Sequence, residues 1–349
     1  MAFYNYDKPP EQYDGLRLHQ NENTGGCSPR VLEALASLRP DQIALYPPYS
    51  TTVDACARYL GVAPDRLALT NGLDEGILAT AIAYLRPSPA NPSPEAIIPQ
   101  PAFEIFALNA SVAGGRPVLV MPRPDFVFAL DEVISAITPN TRVVFLTNPN
   151  NPTGVSMPTD AIGTVAARMP RGGVVFVDEA YADFAGVTFV REIESHPNVI
   201  VGRTFAKAHG LAGLRVGALI GAPATLAPVR RAIGVYSVNV AATIALEAAL
   251  RDTAYVEDYL RQVRESKALV YAACDRLGLK YWKSDANFVL IRIGGRTDAL
   301  VDAAAARGIY LRDRSNEPGC EGCVRITTGI VDHTRRGLAV LEEVLCAAR

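Results

Sequence analysis

The chain has 349 residues, of which 49% are hydrophobic and 20% charged, a composition ordinary for a globular protein with one large and one small domain. Its 34 basic and 36 acidic residues give a net charge of -2, which argues against nucleic acid or an anionic membrane as a partner. No apolar run reaches membrane-spanning length, and the N-terminus "MAFYNYDKPPEQYDG" lacks a basic-then-apolar signal pattern, so we expect a cytoplasmic protein.

The cysteines favour reduced thiols over a metal site. Only Cys320 and Cys323 lie close together in sequence, in "GCEGCVRI". A zinc site usually needs a second such pair or two suitably placed histidines. The histidines are scattered, at His19, His196, His209 and His333. We therefore expect no bound metal.

Helices and strands alternate along the first two thirds of the chain. "NGLDEGILATAIAYL" predicts a helix that begins near Asp74, because acidic residues suit the first turn of a helix. Short segments rich in Val and Ile predict strands: "EAIIP", "RPVLVM", "RVVFLT", "VVFVDE" and "NVIVG". Strands that are apolar throughout are buried on both faces, so the pattern predicts a mostly parallel α/β sheet flanked by helices.

Two segments interrupt this pattern. The proline-rich "RPSPANPSP" predicts a surface loop, and a less marked break lies near "IGVYSVNVAAT". Beyond the second break, a long helix and the strands "NFVLIRI" and "CVRITTG" predict a smaller α+β domain. We divide the chain into an N-terminal arm (1–30), a large cofactor-binding α/β domain (31–240) and a small C-terminal domain (241–349).

Chemically informative residues follow three of the predicted strands. "NPNNPTG" comes after one strand, Asp178 and Tyr181 after the next, and Lys207 after a third. Separately, the first could be a tight turn, "DEAY" a helix N-cap and Lys207 a solvated loop residue. Ligands bind outside the carboxyl ends of strands in such sheets, so we expect these residues to converge on one rim.

The chemistry of pyridoxal phosphate explains the set. A lysine forms a Schiff base with its aldehyde, and a carboxylate, here Asp178, keeps its ring nitrogen protonated. Asn151 and Tyr181 can donate to its phenolic oxygen. Its phosphate needs a cation, hydroxyls and free N–H groups. Those are offered by Arg215, Thr204 and the helix start at Leu73 and Asp74.

Motifs along nearly the whole chain resemble the fold-type I pyridoxal-phosphate aminotransferases, and within them the histidinol-phosphate aminotransferase family. The segments that carry the resemblance are "LHQNEN", "ALYP", "NGLDEGI", "NPNNPTG", "VDEAY", "TFAKAHGLAGLRVG", "DANFVL" and "CVRITTG". The resemblance implies a seven-stranded, mostly parallel sheet with a smaller α+β domain. It also implies a homodimer with shared sites, in which Tyr46 reaches the neighbouring subunit's cofactor phosphate.

The resemblance also implies roles for the cofactor-side and substrate-side residues. Lys207 holds the cofactor and shuttles the proton, and Phe103 stacks on the cofactor ring. Arg325 clamps a substrate carboxylate or phosphate, and Arg312 holds the substrate's phosphate. Three further expectations complete the substrate side: Asn151 touches both cofactor and substrate, Glu22 is a mobile carboxylate near the substrate, and Tyr4 or Tyr6 donates to the substrate phosphate.

The sequence departs from the family's pattern at several positions. Ala206 stands where serine is usual, which removes one phosphate hydroxyl. Phe103 replaces the commoner tyrosine, and His19 and Thr24 replace an asparagine and a proline. His209 replaces an apolar or aromatic residue. None of these changes touches Lys207, Asp178, Tyr181 or Arg215, so they bear on the substrate more than on the cofactor.

Three hypotheses for function follow. The first is ping-pong amino transfer between L-histidinol phosphate and 2-oxoglutarate, with glutamate and imidazole-acetol phosphate as the products; an aromatic or other amino acid is the alternative substrate. The second is a non-transaminating enzyme on the same scaffold, such as a phosphothreonine decarboxylase or an amino-acid cyclase or oxidase. The third is a transcription regulator, which the absence of a helix-turn-helix extension and of a basic face disfavours.

Overall fold

A computed structural model of the protein describes residues 14–346. Its strands, numbered in chain order, are β1 Leu16–Arg17, β2 Leu67–Thr70, β3 Glu95–Pro99, β4 Arg116–Val120, β5 Thr141–Thr147, β6 Val174–Asp178, β7 Val199–Thr204, β8 Gly217–Gly221, β9 Lys280–Tyr281, β10 Phe288–Arg292, β11 Ile309–Tyr310, β12 Arg312–Asp313 and β13 Cys323–Thr327.

Helices connect these strands. They are α1 Pro29–Ala36, α2 Pro40–Ala44, α3 Ser50–Leu60, α4 Gly72–Tyr84, α5 Ile105–Val112, α6 Leu130–Ser135, α7 Thr159–Arg168, α8 Ala182–Ala185, α9 Pro223–Ala232, α10 Val240–Arg251, α11 Thr253–Leu277, α12 Thr297–Ala305 and α13 Val331–Cys346. Within residues 14–346, no helix combines the length and the apolar character needed to cross a membrane.

The large sheet has seven strands in the order β2-β8-β7-β6-β5-β3-β4. Every strand except β8 runs in the same direction, and β8 pairs antiparallel with both of its neighbours. The prediction of a mostly parallel sheet is therefore confirmed. The carboxyl ends of β5, β6 and β7 meet at one edge, because these three strands are adjacent and parallel.

The central strands are apolar on both faces, as the sequence predicts. Along β6, Val175 and Val177 pack into the core on one face of the sheet, while Val174 and Phe176 pack into the core on the other. Successive side chains of a strand point to opposite faces, so a strand covered by helices on both sides must be apolar at every position.

The strand β8 was not predicted, because its sequence "GALIG" is rich in glycine. A Cβ atom on Gly217 would lie 3.0 Å from the carbonyl oxygen of Arg203 and 3.0 Å from the backbone nitrogen of Leu73. Glycine here allows α4 and β7 to approach β8 closely, so the residue that obscures the strand also permits its packing.

The smaller part of the protein is built on a four-stranded antiparallel sheet in the order β12-β13-β10-β9. Its core includes Val289 and Ile326 from the sheet, Val270 from α11 and Leu341 from α13. Leu18, next to β1, packs into the same core. The segment of the predicted N-terminal arm that carries Leu16 and Leu18 is therefore anchored to the small sheet.

The helix α10 bears on the predicted division between the large and small domains. Its residues Ala242, Ala245 and Leu246 pack into the core of the large sheet, together with Val31 of α1. We therefore propose that the boundary lies near Asp252, between α10 and α11, rather than after residue 240.

Candidate active site

A cavity of about 440 Å³ lies between the carboxyl ends of β5, β6 and β7 and the small sheet. This volume is typical of a pocket for a small-molecule ligand. The predicted site residues that line it are Glu22, Leu73, Asp74, Phe103, Asn151, Asp178, Tyr181, Thr204, Lys207, Arg215, Arg312 and Arg325. The structure thus brings together segments that are far apart in sequence.

Among the described residues, one predicted site residue, Tyr46, does not border this cavity. Tyr46 follows α2, has a relative exposure of 74%, and stacks on Tyr236 with ring centroids 4.0 Å apart. Its predicted role concerns the cavity of a neighbouring subunit. Tyr4, like its alternative Tyr6, lies outside the described residues.

Lys207 lies on the loop that follows β7. Its Nζ donates to the carbonyl oxygen of Gln20 at 3.1 Å, and Asn23 Nδ2 donates to the carbonyl oxygen of the adjacent Ala208 at 3.0 Å. Burial, and then the positive charge of Arg325, lower the pKa of Lys207 to about 8. At neutral pH about a tenth of the amine is therefore neutral and nucleophilic, far more than for an ordinary lysine.

Asp178 ends β6 and is buried at the floor of the cavity. One carboxylate oxygen accepts from the backbone N–H of Ala180 at 2.9 Å, and burial raises the pKa of this carboxyl to about 7. Across residues 14–346 it has no ion-pair partner. A buried carboxylate of this kind is stabilised by an added cationic N–H donor, which is what a protonated pyridine ring offers.

Tyr181 and Asn151 add polar groups above Asp178. The Tyr181 hydroxyl accepts from Asn21 Nδ2 at 3.0 Å, and the ring packs edge-on against Phe288. Burial raises the pKa of Tyr181, so its hydroxyl stays protonated and remains able to donate. Asn151 Oδ1 accepts from Arg325, which fixes the amide in the cavity.

The N-terminus of α4 and Arg215 form one end of the cavity. Arg215 donates to Asp74 at 2.8 Å, and Gly72, the first helical residue, has φ +72°. A Cβ on Gly72 would lie 2.5 Å from the Arg215 guanidinium, so glycine is needed for this approach. Free N–H groups, a helix dipole and a guanidinium together suit a phosphate.

The small sheet supplies the opposite end. Arg312 of β12 and Arg325 of β13 are directly opposite each other in the antiparallel register, so their side chains share one face. Arg325 donates to the carbonyl oxygen of His19 at 2.7 Å, and its guanidinium lies 5.2 Å from the centroid of the Phe288 ring. These contacts hold Arg325 in place, so it can bind a carboxylate or phosphate as a fork.

Several cavity residues were not predicted: Arg17, Gln20, Asn21, Glu104, Thr147 and Arg314. Arg17 pairs with Glu22 at 2.7 Å, which accounts for the position of that carboxylate. One signal was available for Arg314, since it lies two residues after Arg312 and alternate residues of a strand share a face. Gln20 and Asn21 lie within "LHQNEN", one of the segments that carry the family resemblance, whereas nothing local in the sequence indicates Arg17, Glu104 or Thr147.

The departures from the family's pattern are distributed unevenly. Ala206 and Phe103 border the cavity. His209 is buried outside the cavity lining, with its ring edge-on to Phe205 at 5.3 Å and to Tyr59 at 5.5 Å. Burial lowers the pKa of His209, so it packs as a neutral ring beside the Lys207 loop.

Comparison with known proteins gives a consistent picture. Residues 13–341 match the family described as aminotransferase class I and II. The chain is 36% identical to histidinol-phosphate aminotransferase 2 of Ralstonia nicotianae, over 95% of this chain and 89% of that protein. It is 33% identical to the histidinol-phosphate aminotransferase of Moorella thermoacetica, over 95% of this chain and 86% of that protein.

Solved structures are similar over the same length. The histidinol-phosphate aminotransferase from Sinorhizobium meliloti, in complex with pyridoxal-5'-phosphate, superposes with a TM-score of 0.86 at 26% identity and covers 96% of this chain and 92% of its own. A structure from Erwinia carotovora atroseptica, provisionally named as a histidinol-phosphate aminotransferase, superposes with a TM-score of 0.85 at 25% identity. It covers 96% of this chain and 97% of its own.

Proposed function

The chain belongs to the aminotransferase class I and II family, and we propose that it transfers an amino group from L-histidinol phosphate to 2-oxoglutarate. One observation carries this proposal. A partly buried lysine whose pKa is lowered, a buried carboxylate without an ion-pair partner in residues 14–346 and two arginines, Arg312 and Arg325, line a single cavity. Relatives that cover 95% of the chain share the name histidinol-phosphate aminotransferase.

The protein is a pyridoxal-phosphate-dependent transferase, and the cavity residues fit that cofactor. We assign Asp178 to its ring nitrogen, Asn151 and Tyr181 to its phenolic oxygen, and Phe103 to the face of its ring. Arg215 and the N-terminus of α4 would hold its phosphate, together with Thr204 and the backbone at Leu73. The loss of a hydroxyl at Ala206 leaves this phosphate site more dependent on Arg215.

When bound, pyridoxal phosphate withdraws electrons from the amino-bearing carbon of the substrate and makes its proton acidic. Lys207 would carry that proton, because desolvation lowers the pKa of its amine to about 8, so the amine can act as a base near neutral pH. The buried carboxylate of Asp178 would stabilise a proton on the ring nitrogen of the cofactor, and the Tyr181 hydroxyl, which stays protonated, would donate to its phenolic oxygen.

The two arginines of the small sheet position the substrate. Arg325 is already held by Asn151 and by the carbonyl oxygen of His19, so little side-chain freedom is lost when it binds an anion. Arg312 has no carboxylate partner in the part of the chain that the structure describes. Glu22, which pairs with Arg17, is the carboxylate that could move toward the substrate.

We further propose a homodimer with shared sites. Exposed apolar side chains cluster in sequence on two segments, with Ile43, Leu45 and Tyr46 on one and Val235 and Tyr236 on the other; each is at least 53% exposed. The stacking of Tyr46 on Tyr236 joins the two segments into one surface. A second copy covering this surface would bury it and bring Tyr46 to the partner's cavity.

The proposed setting is histidine biosynthesis in the cytoplasm, which rests on the activity named for the relatives. The experiment that tests the proposal follows the absorbance of the purified holoenzyme. L-Histidinol phosphate and L-glutamate are added separately, and the products are analysed. Both should convert the cofactor to its amine form, releasing imidazole-acetol phosphate and 2-oxoglutarate.

Other outcomes of that experiment are informative. If glutamate converts the cofactor and L-histidinol phosphate does not, the protein is an aminotransferase whose specific amino donor is another compound. Loss of carbon dioxide without conversion of the cofactor would replace amino transfer with a non-transaminating reaction. The Lys207→Ala variant, loaded with cofactor, is the matched control and should give neither product.

A further inference from the structure

Arg314 lies beside the two arginines of the substrate end. Its backbone N–H donates to the carbonyl oxygen of Cys323 at 2.9 Å, which extends the pairing of β12 with β13. Alternate residues of a strand share a face, so Arg314 lies on the face of Arg312, and Arg312 is opposite Arg325. All three line the cavity. The sequence therefore places three guanidinium groups on one face of a small sheet.

Two carboxylates form ion pairs with Arg314. Glu317, on the same loop, pairs with it closely, and Glu104 lies 3.7 Å away. Glu317 does not border the cavity, whereas Glu104 does and has a side chain that is 36% exposed. Glu104 follows Phe103 directly and belongs to the large domain. Its pairing with Arg314 is therefore long, partly solvated and open to competition from a bound anion.

The charges at this end are not balanced. Arg325 has two neutral acceptors, Asn151 Oδ1 and the carbonyl oxygen of His19, and neither it nor Arg312 has a carboxylate partner among residues 14–346. Arg314 is 6% exposed, and its carboxylate partners within residues 14–346 are Glu104 and Glu317. An anion that binds beside Arg312 therefore meets a second guanidinium, and the more distant of its two carboxylate partners, the cavity-lining Glu104, can be displaced.

Resting on the proposed function, we propose that Arg314 determines specificity for the anionic group of the substrate. With Arg312 it favours a dianion, such as a phosphate or phosphonate, over a monoanion such as a carboxylate, and Glu104 moderates that preference. The physical reason is that a group of charge −2 gains twice the Coulomb energy of a group of charge −1 from the same guanidinium. The negative charge of Glu104 opposes this preference, because it repels a dianion twice as strongly as a monoanion.

Two amino donors of one skeleton test this proposal: L-glutamate and L-2-amino-4-phosphonobutanoate, in which a phosphonate replaces the distal carboxylate. The measured quantity is the ratio of kcat/KM for the phosphonate to kcat/KM for glutamate, in the holoenzyme, at alkaline pH where the phosphonate is a dianion. We expect Arg314→Gln to lower this ratio about tenfold and Glu104→Gln to raise it about threefold.

Opposite signs distinguish an electrostatic role from a structural one. If the Glu104–Arg314 pair only ties the loop after β12 to α5, both substitutions break the same contact, and the ratio stays unchanged or moves in one direction for both. Either result would overturn the proposal. Arg314→Lys keeps the positive charge, so its ratio should stay close to that of the wild type. A decrease as large as that of Arg314→Gln would also count against the proposal.

A matched control is Arg292→Gln. Arg292 lies on β10 of the same sheet, 5.4 Å from the Trp282 ring centroid and outside the cavity lining, so the ratio should not change. Turnover of glutamate by each variant shows that the variant is folded. If Arg314→Gln does not fold, the ratio measured for Glu104→Gln still tests the proposal. Wild-type enzyme that uses glutamate but not L-histidinol phosphate would refute the proposed substrate while leaving the ratio measurable.

Discussion

The two ends of the cavity are built by different means. At the cofactor end, Asp178, Asn151 and Lys207 follow adjacent parallel strands, and each side chain reaches the rim because its own strand ends there. At the substrate end, Arg312 and Arg325 are brought together by antiparallel pairing within a small sheet. The first arrangement can be predicted from strand ends alone, whereas the second requires knowledge of the register.

The charges of the two ends also differ. At the cofactor end, Arg215 is paired with Asp74, and Lys207 lies in the same buried surroundings as Asp178. At the substrate end, Arg312 and Arg325 have no carboxylate partners in residues 14–346. Substitutions at the cofactor end should therefore abolish the reaction for every substrate, while those at the substrate end should separate one substrate from another.

The largest effect is expected at Lys207. Replacing it with alanine removes both the covalent attachment and the proton carrier, so kcat should fall at least about 10⁴-fold in both half-reactions. The measurement is single-turnover absorbance with each amino donor. Lys267 is the matched control, since it is buried and donates to the carbonyl oxygen of Ser284 at 2.7 Å, outside the cavity. Lys267→Ala should lower stability and keep turnover in the folded protein.

Asp178→Asn should have the next largest effect. Asparagine can still accept from the N–H of Ala180, but it cannot stabilise a positive charge, so kcat should fall about 10²- to 10³-fold for all donors. Cofactor content and kcat are measured together. Asp183→Asn, in the buried pair with Arg203 and away from the cavity, should leave kcat in the folded fraction near wild type. Equal losses in the two variants would argue against the assignment.

Arg325→Lys probes the substrate end. A lysine keeps the charge but cannot bind two oxygens as a fork, so kcat/KM should fall about 10²-fold while the absorbance of bound cofactor is unchanged. The comparison of the two ends fails if this variant instead loses its cofactor. Arg296→Lys is the control. Arg296 lies on the small domain and donates to the carbonyl oxygen of Leu345, so its replacement should leave kcat/KM unchanged.

The pH dependence of cofactor uptake tests the environment of Lys207. Only the neutral amine attacks the cofactor aldehyde, so uptake by the apoprotein should rise about tenfold per pH unit and level off near the lowered pKa of about 8. Below that pH the amine is protonated and uptake slows. A rate that continues to rise toward 10.5, the ordinary lysine value, would show that the amine is not buried as described.

Tyr46→Phe should have the smallest effect. The loss of one hydrogen bond from a neighbouring subunit should weaken cofactor retention about three- to tenfold, without a change in fold or in kcat at saturating cofactor. Equilibrium dialysis measures it. Tyr84→Phe, whose hydroxyl donates to the carbonyl oxygen of Thr225 at 2.7 Å, is the matched control. Unchanged retention in Tyr46→Phe would remove this residue from the shared site.

Much of the fold follows from local sequence. The apolar segments at β3, β5, β6 and β7 are unambiguous because burial on both faces demands continuous Val, Ile and Phe. The strand β8 escapes prediction because close packing there requires glycine, which ordinarily weakens a strand. The boundary that we propose after α10 is similarly hidden, since an apolar helix does not indicate which of two cores it joins.

The substrate end was only partly predictable. Resemblance to a family identified Arg312 and Arg325, but Arg314 pairs with Glu104, which lies 210 positions earlier in the sequence. No periodicity links such positions, because their approach depends on how the two domains pack. The residues that hold a common cofactor can therefore be found from motifs, while those that refine the substrate appear only in the folded structure.

The central claim is that Lys207 binds the cofactor. Borohydride reduction of the holoenzyme, followed by proteolysis and mass spectrometry, tests it most directly, because reduction fixes the cofactor to whichever lysine holds it. We expect the pyridoxyl group on the peptide that contains Lys207, and none on peptides with Lys267, Lys280 or Lys283. A label on any of those three lysines, or no covalent label, would contradict the claim.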